Sequence, residues 1–285
     1  MTLEQFSPML MRREIMRARE KRMVFKNFLW IPDNVEDPRT IGQSVTLPSI
    51  GAIASSSYSN GSITYASVDD QSQTLLINKQ VLCPIKVTDI NRIQSVKGLY
   101  PAIAQEMGYS MANYQDSDLA TGIYAGAGVT TDLSSTGVDS GNVFDALMTL
   151  KADMKVKNVN EDIPLFVDPY LSKAIASSAG FIKTNNDEII ASGQVGRMAG
   201  FIIIETNNLT TTGTYKGGNL VVNACAFTPN RSVAWVEQKG FSVEMLRDTA
   251  TVSDLMRAHQ IYGWKVVRAD EVAHFKVKVN VETSI

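Results

Sequence analysis

Between Arg39 and Lys79 the chain carries no positive charge, and Asp69 and Asp70 are the only acids there. Gly42-Gln-Ser-Val-Thr-Leu47-Pro48 and Thr74-Leu-Leu-Ile77 read as the two legs of a long β-hairpin, with a middle from Gly51 to Gly61 rich in Ser, Ala and Gly. A soluble monomer guards exposed strand edges with Lys or with Pro in the ladder. This ribbon is almost unguarded, so the pattern predicts pairing with another chain, with Val45, Leu47, Tyr58, Ile63, Tyr65, Leu75 and Ile77 as contacts. A hairpin buried within its own domain would also lack charge, which leaves that alternative open.

The N-terminal segment raises the same question. From Leu10 to Phe25, the residues Leu10, Met11, Ile15, Met16, Met23 and Val24 alternate with basic ones, an amphipathic helix with a narrow apolar stripe. That stripe needs a cover, from its own domain or from a neighbour. On the second reading Leu10, Arg13, Ile15, Arg17 and Met23 are contacts between subunits. Residues 1 to 30 hold seven Lys or Arg against Glu4, Glu14 and Glu20, a charge of +4 in a chain whose total is −2. A chain so near neutrality is a poor avid binder of DNA. Trp30-Ile31-Pro32 and Asp37-Pro38 then break regularity and predict an extended continuation.

Leu99 to Gly126 reads as one long helix, with Pro101 in its first turn and Ile103, Met107, Met111 and Tyr114 at helical spacing, continued by Leu119 and Ile123. Gly126 to Gly141, rich in Gly, Ser and Thr, reads as a linker. Asn142 then caps a helix whose apolar side is Phe144, Leu147, Met148 and Leu150 and which ends by Asn160. Pro164-Leu-Phe-Val167 is a short buried strand, and Asp168-Pro169 supplies the N-cap and first residue of a helix that continues to Ser178. Gly193, Gly196 and Gly200 lead as a turning segment into the strand Phe201-Ile-Ile-Ile204. Leu220 to Val222 with Ala224 to Phe227, and Ser232 to Gln238, read as further strands. Gly240 to Arg247 and His259 to Arg268 predict a long antiparallel pair, and Phe275 to Val281 a closing strand.

No residue pattern demands chemistry. His259 and His274, the only two histidines, cannot build a histidine triad or a three-histidine metal site. The glycines at 193, 196 and 200 precede a strand where a phosphate loop would follow one, and no Gly-Lys-Ser/Thr occurs. Asp168 is explained by capping. The pairs Asp69–Asp70 and Asp116–Asp118 read as solvated faces, with a divalent-cation site the lesser alternative. Cys83 and Cys225 belong to no paired motif and suit a reducing compartment. No catalytic residue, cofactor or metal is therefore expected. No apolar run has the length needed to span a bilayer, and arginines stand where a signal peptide would carry its apolar core.

The segments "FVDPYL" and "GQVGRMAGFIIIETNNL", with Gly-x-Val-Gly-x-x-x-Gly-Phe before a strand that ends in Thr206-Asn207-Asn208-Leu209, resemble the major capsid proteins of tailed bacteriophages with the Hong Kong 97 fold. The hairpin legs and the run Tyr262-Gly-x-Lys-Val-Val-Arg268 are similar to the same family, so the likeness covers nearly the whole chain. It implies an α+β fold with an N-terminal arm (1–41), an extended β-hairpin loop (42–90), a peripheral domain with a long spine helix (91–141 and 238–268) and an axial domain (142–237 and 269–285). It also implies a non-enzymatic coat protein that assembles as hexamers and pentamers around double-stranded DNA in the bacterial cytoplasm. Its partners would be scaffolding and portal proteins, its final place the virion. An encapsulin-like compartment around a cargo enzyme, and a soluble α/β ligand-binding enzyme, are the alternatives.

Overall fold

The computed structural model describes residues 15, 23–32, 43–47, 72–89, 99–159, 162–178, 194–213 and 219–280. After a 3-10 turn at Phe25–Phe28, the elements in order are β1 (Ser44–Leu47), β2 (Gln73–Leu76), β3 (Lys79–Thr88), α1 (Leu99–Gly126), β4 (Val129–Val138) and α2 (Val143–Val156). Then come β5 (Ile163–Val167), α3 (Pro169–Ala176), β6 (Gln194–Met198), β7 (Phe201–Glu205), β8 (Thr211–Thr212), β9 (Asn219–Phe227), β10 (Val233–Asp248), β11 (Ser253–Val266) and β12 (Val272–Asn280).

Three sheets result. The largest has the order β4-β12-β9-β5-β7-β6, with β8 added on β9; β12 runs parallel to β4 and β5 parallel to β7. The second is β10-β11-β3, all antiparallel, and the third is the two-stranded ribbon β1-β2.

Every residue of β5 is buried, because the large sheet lies between two cores. Leu165 and Val167 pack with Leu147, Leu150 and Met154 of α2 and Leu171 and Ile175 of α3, whereas Phe166 points to the opposite core with Met107, Met111 and Ile123 of α1. The two-residue period of a strand divides β9 the same way: Leu220, Val222, Ala224 and Ala226 go to the α2 side, Cys225 and Phe227 to the α1 side. Short continuous apolar runs are the mark of strands covered on both faces.

Helix α1 spans Leu99–Gly126, 28 residues, or roughly 40 Å at 1.5 Å per residue. Its buried row advances strictly by fours: Met107, Met111, Leu119 and Ile123 are in the core, and the position between them is Gln115, whose amide donates to Gln260 of β11 at 2.9 Å. Tyr114, one residue off this row, is 58% exposed, which corrects its assignment to the apolar stripe.

Other sequence expectations also change. The stretch expected to be a linker holds β4, whose Val129, Thr131 and Val138 are buried at the sheet edge while Thr130, Asp132, Ser135 and Thr136 are exposed. Part of the glycine-rich turn is β6, joined to β7 by Ala199 and Gly200, both at positive φ, the geometry of a two-residue hairpin turn. In α2 the buried face is Val143, Ala146, Leu147, Leu150 and Met154, and Phe144 and Met148 are exposed. Asn142 does not cap α2. Its backbone is already helical, so its side chain turns back, accepting from Asp139 N at 2.8 Å and donating to Gly137 O at 2.9 Å. Asp168 does cap α3, accepting from Tyr170 N at 3.2 Å ahead of Pro169.

Candidate assembly surfaces

The ribbon β1-β2 is rooted on the sheet β10-β11-β3. Its inward residues Val45, Leu47, Leu75 and Ile77 form a small core with Ala234 and Val236 of β10, flanked by Trp30, Ile261 and Val267. Polar ties complete the root: Gln73 Nε2 donates to Val267 O and Lys265 Nζ to Thr74 O, each at 3.0 Å. Where the ribbon crosses β11 the residue is Gly263, and a Cβ there would press on the backbone of Leu76 and Ile77. Glycine permits that close approach.

Beside the root lies a polar hub on α1. Asp118 accepts from Lys79 Nζ at 2.6 and 2.8 Å, from Trp264 Nε1 at 2.8 Å and from Tyr262 OH at 3.2 Å, and Lys79 sits 4.3 Å over the Trp264 ring. The edge of the Trp264 ring reaches α1 because residue 122 is Gly, with no room for a Cβ.

The N-terminal segment enters on the same sheet. Trp30 forms a parallel bridge with Ala234, its N–H donating to Val233 O and its carbonyl accepting from Trp235 N, both at 2.9 Å. Lys26 pairs with Glu237 at 2.9 Å. Phe25 stacks on Phe166 at 4.3 Å and on Phe227 at 6.4 Å, and Phe28 meets Phe166 edge-on at 5.6 Å. Asp116 of α1 receives Val24 N–H at 3.0 Å and Asn208 Nδ2 at 3.4 Å. Burial raises its pKa to about 6.

Of the contact set expected from sequence, Ile15, Val45, Leu47, Leu75 and Ile77 are buried in cores of the single chain, and Met23 is buried as well. At the root it is Leu76, 57% exposed, that faces outward. Leu10, Arg13, Arg17, Tyr58, Ile63 and Tyr65 lie outside the described residues. Asp116 and Asp118, expected to be solvated, instead hold the arm at Val24 and join Lys79 of β3 to Trp264 of β11. Sequence reasoning missed this because only the register of α1 separates a gripping carboxylate from a solvated one. Cys225 is fully buried with its thiol pKa raised, and Cys83 is half-buried on β3. Among the described residues no group of His, Cys, Asp or Glu is placed to hold a metal ion, and no helix is long and apolar enough to cross a membrane.

The face of β10-β11-β3 away from α1 is covered by the ribbon at Ala234 and Val236, and beyond the ribbon, among the described residues, it presents exposed Leu82 and Leu246 beside the ion pair Arg257–Glu244.

This architecture has known counterparts. A chain of Mycobacterium phage Che8 superposes with a TM-score of 0.71 at 23% identity, covering 89% of this chain and 90% of that one. The capsid of Ralstonia phage GP4 gives 0.71 at 10% identity and 93% coverage of both. The virus-like particle of Pyrococcus furiosus gives 0.59 at 15% identity over 94% and 98%. No curated protein matches the sequence. The family described as phage capsid protein matches residues 85–277, from the middle of β3 into β12. With two thirds of its length under that match and the fold of tailed-phage coats over nearly all of it, the chain belongs to the phage capsid protein family and is a major capsid protein with the Hong Kong 97-like fold.

Proposed function

We propose that this coat protein closes into an icosahedral shell of hexamers and pentamers around double-stranded DNA, assembled in the bacterial cytoplasm with scaffolding and portal proteins as partners. The observation that carries the reading is the ribbon root. β1 and β2 are anchored on β10 and β11 by four buried apolar residues, and the sequence between Leu47 and Gln73 continues for two dozen residues without one Lys or Arg. A ribbon so unguarded is suited to strand augmentation by a neighbouring subunit. Leu10, Arg13 and Arg17 of the arm and Tyr58, Ile63 and Tyr65 of the ribbon are the residues proposed to reach that neighbour. Many weak contacts of this kind close a shell together.

The near-neutral chain holds packaged DNA by weak nonspecific contact. No cofactor or catalytic step is invoked. Electron microscopy of the purified protein is the test: closed shells are expected, and a stable monomer or dimer under every condition overturns the reading. Co-expression separates the partners, since efficient assembly of correctly sized shells by the coat chain alone removes the need for a scaffold. The fold is shared with a virus-like particle, so the contents decide the remaining alternative. Native particles filled with a protein cargo in place of DNA would identify an encapsulin-like compartment.

A further inference from the structure

We infer that Asp116 is a proton-operated latch that grips the N-terminal arm against the spine helix and tightens when it takes up a proton. The geometry begins with a helical turn that lacks its own cap: Val24, at the N-cap position of Phe25–Phe28, offers no side-chain acceptor. The acceptor comes instead from a residue 92 positions away in sequence, Asp116 Oδ2, which takes the Val24 N–H at 3.0 Å and the Nδ2 of Asn208 at 3.4 Å. One carboxylate therefore joins three parts of the molecule: α1, the arm, and the loop after β7. It is fully buried, and its second oxygen, Oδ1, has no hydrogen-bond partner.

A buried carboxylate held only by neutral donors is costly to ionise. The charged groups around it are otherwise engaged. Asp118, two residues along the helix, is held by Lys79, and Lys26 on the arm pairs with Glu237 of β10. The loop after β7 presents uncharged Thr206 and Asn208. Protonation relieves the cost and turns one carboxyl oxygen into a donor, while the other can still accept from Val24.

The sign follows from linkage. With the arm docked, the pKa is raised by burial from 3.8 to about 6; with the arm lifted, the side chain meets water and returns toward the ordinary value. Docking thus takes up a proton. The added stability is complete below the ordinary pKa and is lost as pH rises through about 6. The docking equilibrium is about tenfold more favourable at pH 5 than at pH 8.

Hydrogen exchange on the full-length chain, corrected for the intrinsic pH dependence of exchange, tests this at the amides of Val24 and Phe25. Protection is expected to rise about tenfold from pH 8 to pH 5. In Asp116→Asn, which keeps an acceptor and cannot titrate, it should be high and independent of pH. Equal protection at both pH values in the wild type, or an unchanged pH dependence in the Asn variant, overturns the latch. Asn208→Ala supplies a second arm should Asp116→Asn fail to fold. Removing a donor that favours the carboxylate must move the midpoint to higher pH, and an unmoved midpoint counts against the proposal.

Discussion

The two large sheets solve the burial problem differently. The seven-stranded sheet has a core on each face, so β5 is buried throughout and β9 sends alternate residues to opposite sides. The three-stranded sheet has α1 on one face, and its other face, covered by the ribbon at Ala234 and Val236, carries exposed Leu82 and Leu246 beside the Arg257–Glu244 pair. Both appendages, arm and ribbon, touch the three-stranded sheet, through Trp30 on β10 and through the ribbon root on β10 and β11, and the arm also stacks Phe25 on Phe166 of the large sheet. One region therefore completes its fold within the chain. The other is a platform on which the described parts of arm and ribbon are held.

The contrast is broken most severely at Phe166, where the arm, β5 and β9 meet in one aromatic stack. Phe166→Ala is expected to cost about 3–5 kcal/mol, because a fully buried ring is lost and rigid strands cannot collapse into the gap. Chemical denaturation should show it as a large drop in midpoint at unchanged slope. A cost near 1 kcal/mol would mean that the two cores are less firmly packed than the distances imply.

Gly122→Ala comes next, at about 1–3 kcal/mol, since the new methyl must displace the Trp264 ring and with it the indole donor to Asp118. Tryptophan fluorescence should shift to the red as the ring leaves α1. Gly263→Ala acts on the same platform but through backbone, so the ribbon root should lift as a unit. Its signature is faster amide exchange in β1 and β2 while β5 stays protected.

Asp168→Ala, on the two-core side, should cost about 1 kcal/mol through the lost cap of α3. Asp168→Asn should cost less, because burial already raises the pKa of the carboxyl and disfavours its charge. Thermal melts of the pair check this, and equal losses would mean that the charge itself matters.

How much of this was legible follows the same division. Helix α1, the strand before Asp168, and the Asp168-Pro169 cap carry local signals, apolar spacing and a capping dipeptide, and the structure has them where the sequence puts them. β4 was not legible, since an edge strand with few buried residues looks like a linker until β12 lies beside it. The α2 face was misread because Phe144 and Met148 are apolar yet face away from the sheet. Of the assembly region, the uncharged ribbon was legible as a ribbon, but not the inward turn of Val45, Leu47, Leu75 and Ile77. Which side of a two-stranded ribbon faces its own chain depends on β10, almost two hundred residues away. Asp116 was visible only as one acid of a pair; its grip on Val24 is a tertiary fact.

The smallest expected effect is also the sharpest test of the three-stranded sheet. Leu246 is 55% exposed in a shallow hollow with Pro84, Lys86 and Leu255, on the face that α1 leaves bare. Leu246→Ser should leave the stability of the isolated chain within about 0.5 kcal/mol, an order of magnitude below Phe166→Ala, because its side chain is already largely in water. Comparing the two substitutions by the same denaturation measurement makes the difference between the sheets a ratio. A loss at Leu246 approaching 2 kcal/mol would show that the outer face is packed within the single chain, most simply by residues of the arm or the ribbon. The division into a self-sufficient sheet and a platform would then fail, since both sheets would be fully covered on both faces.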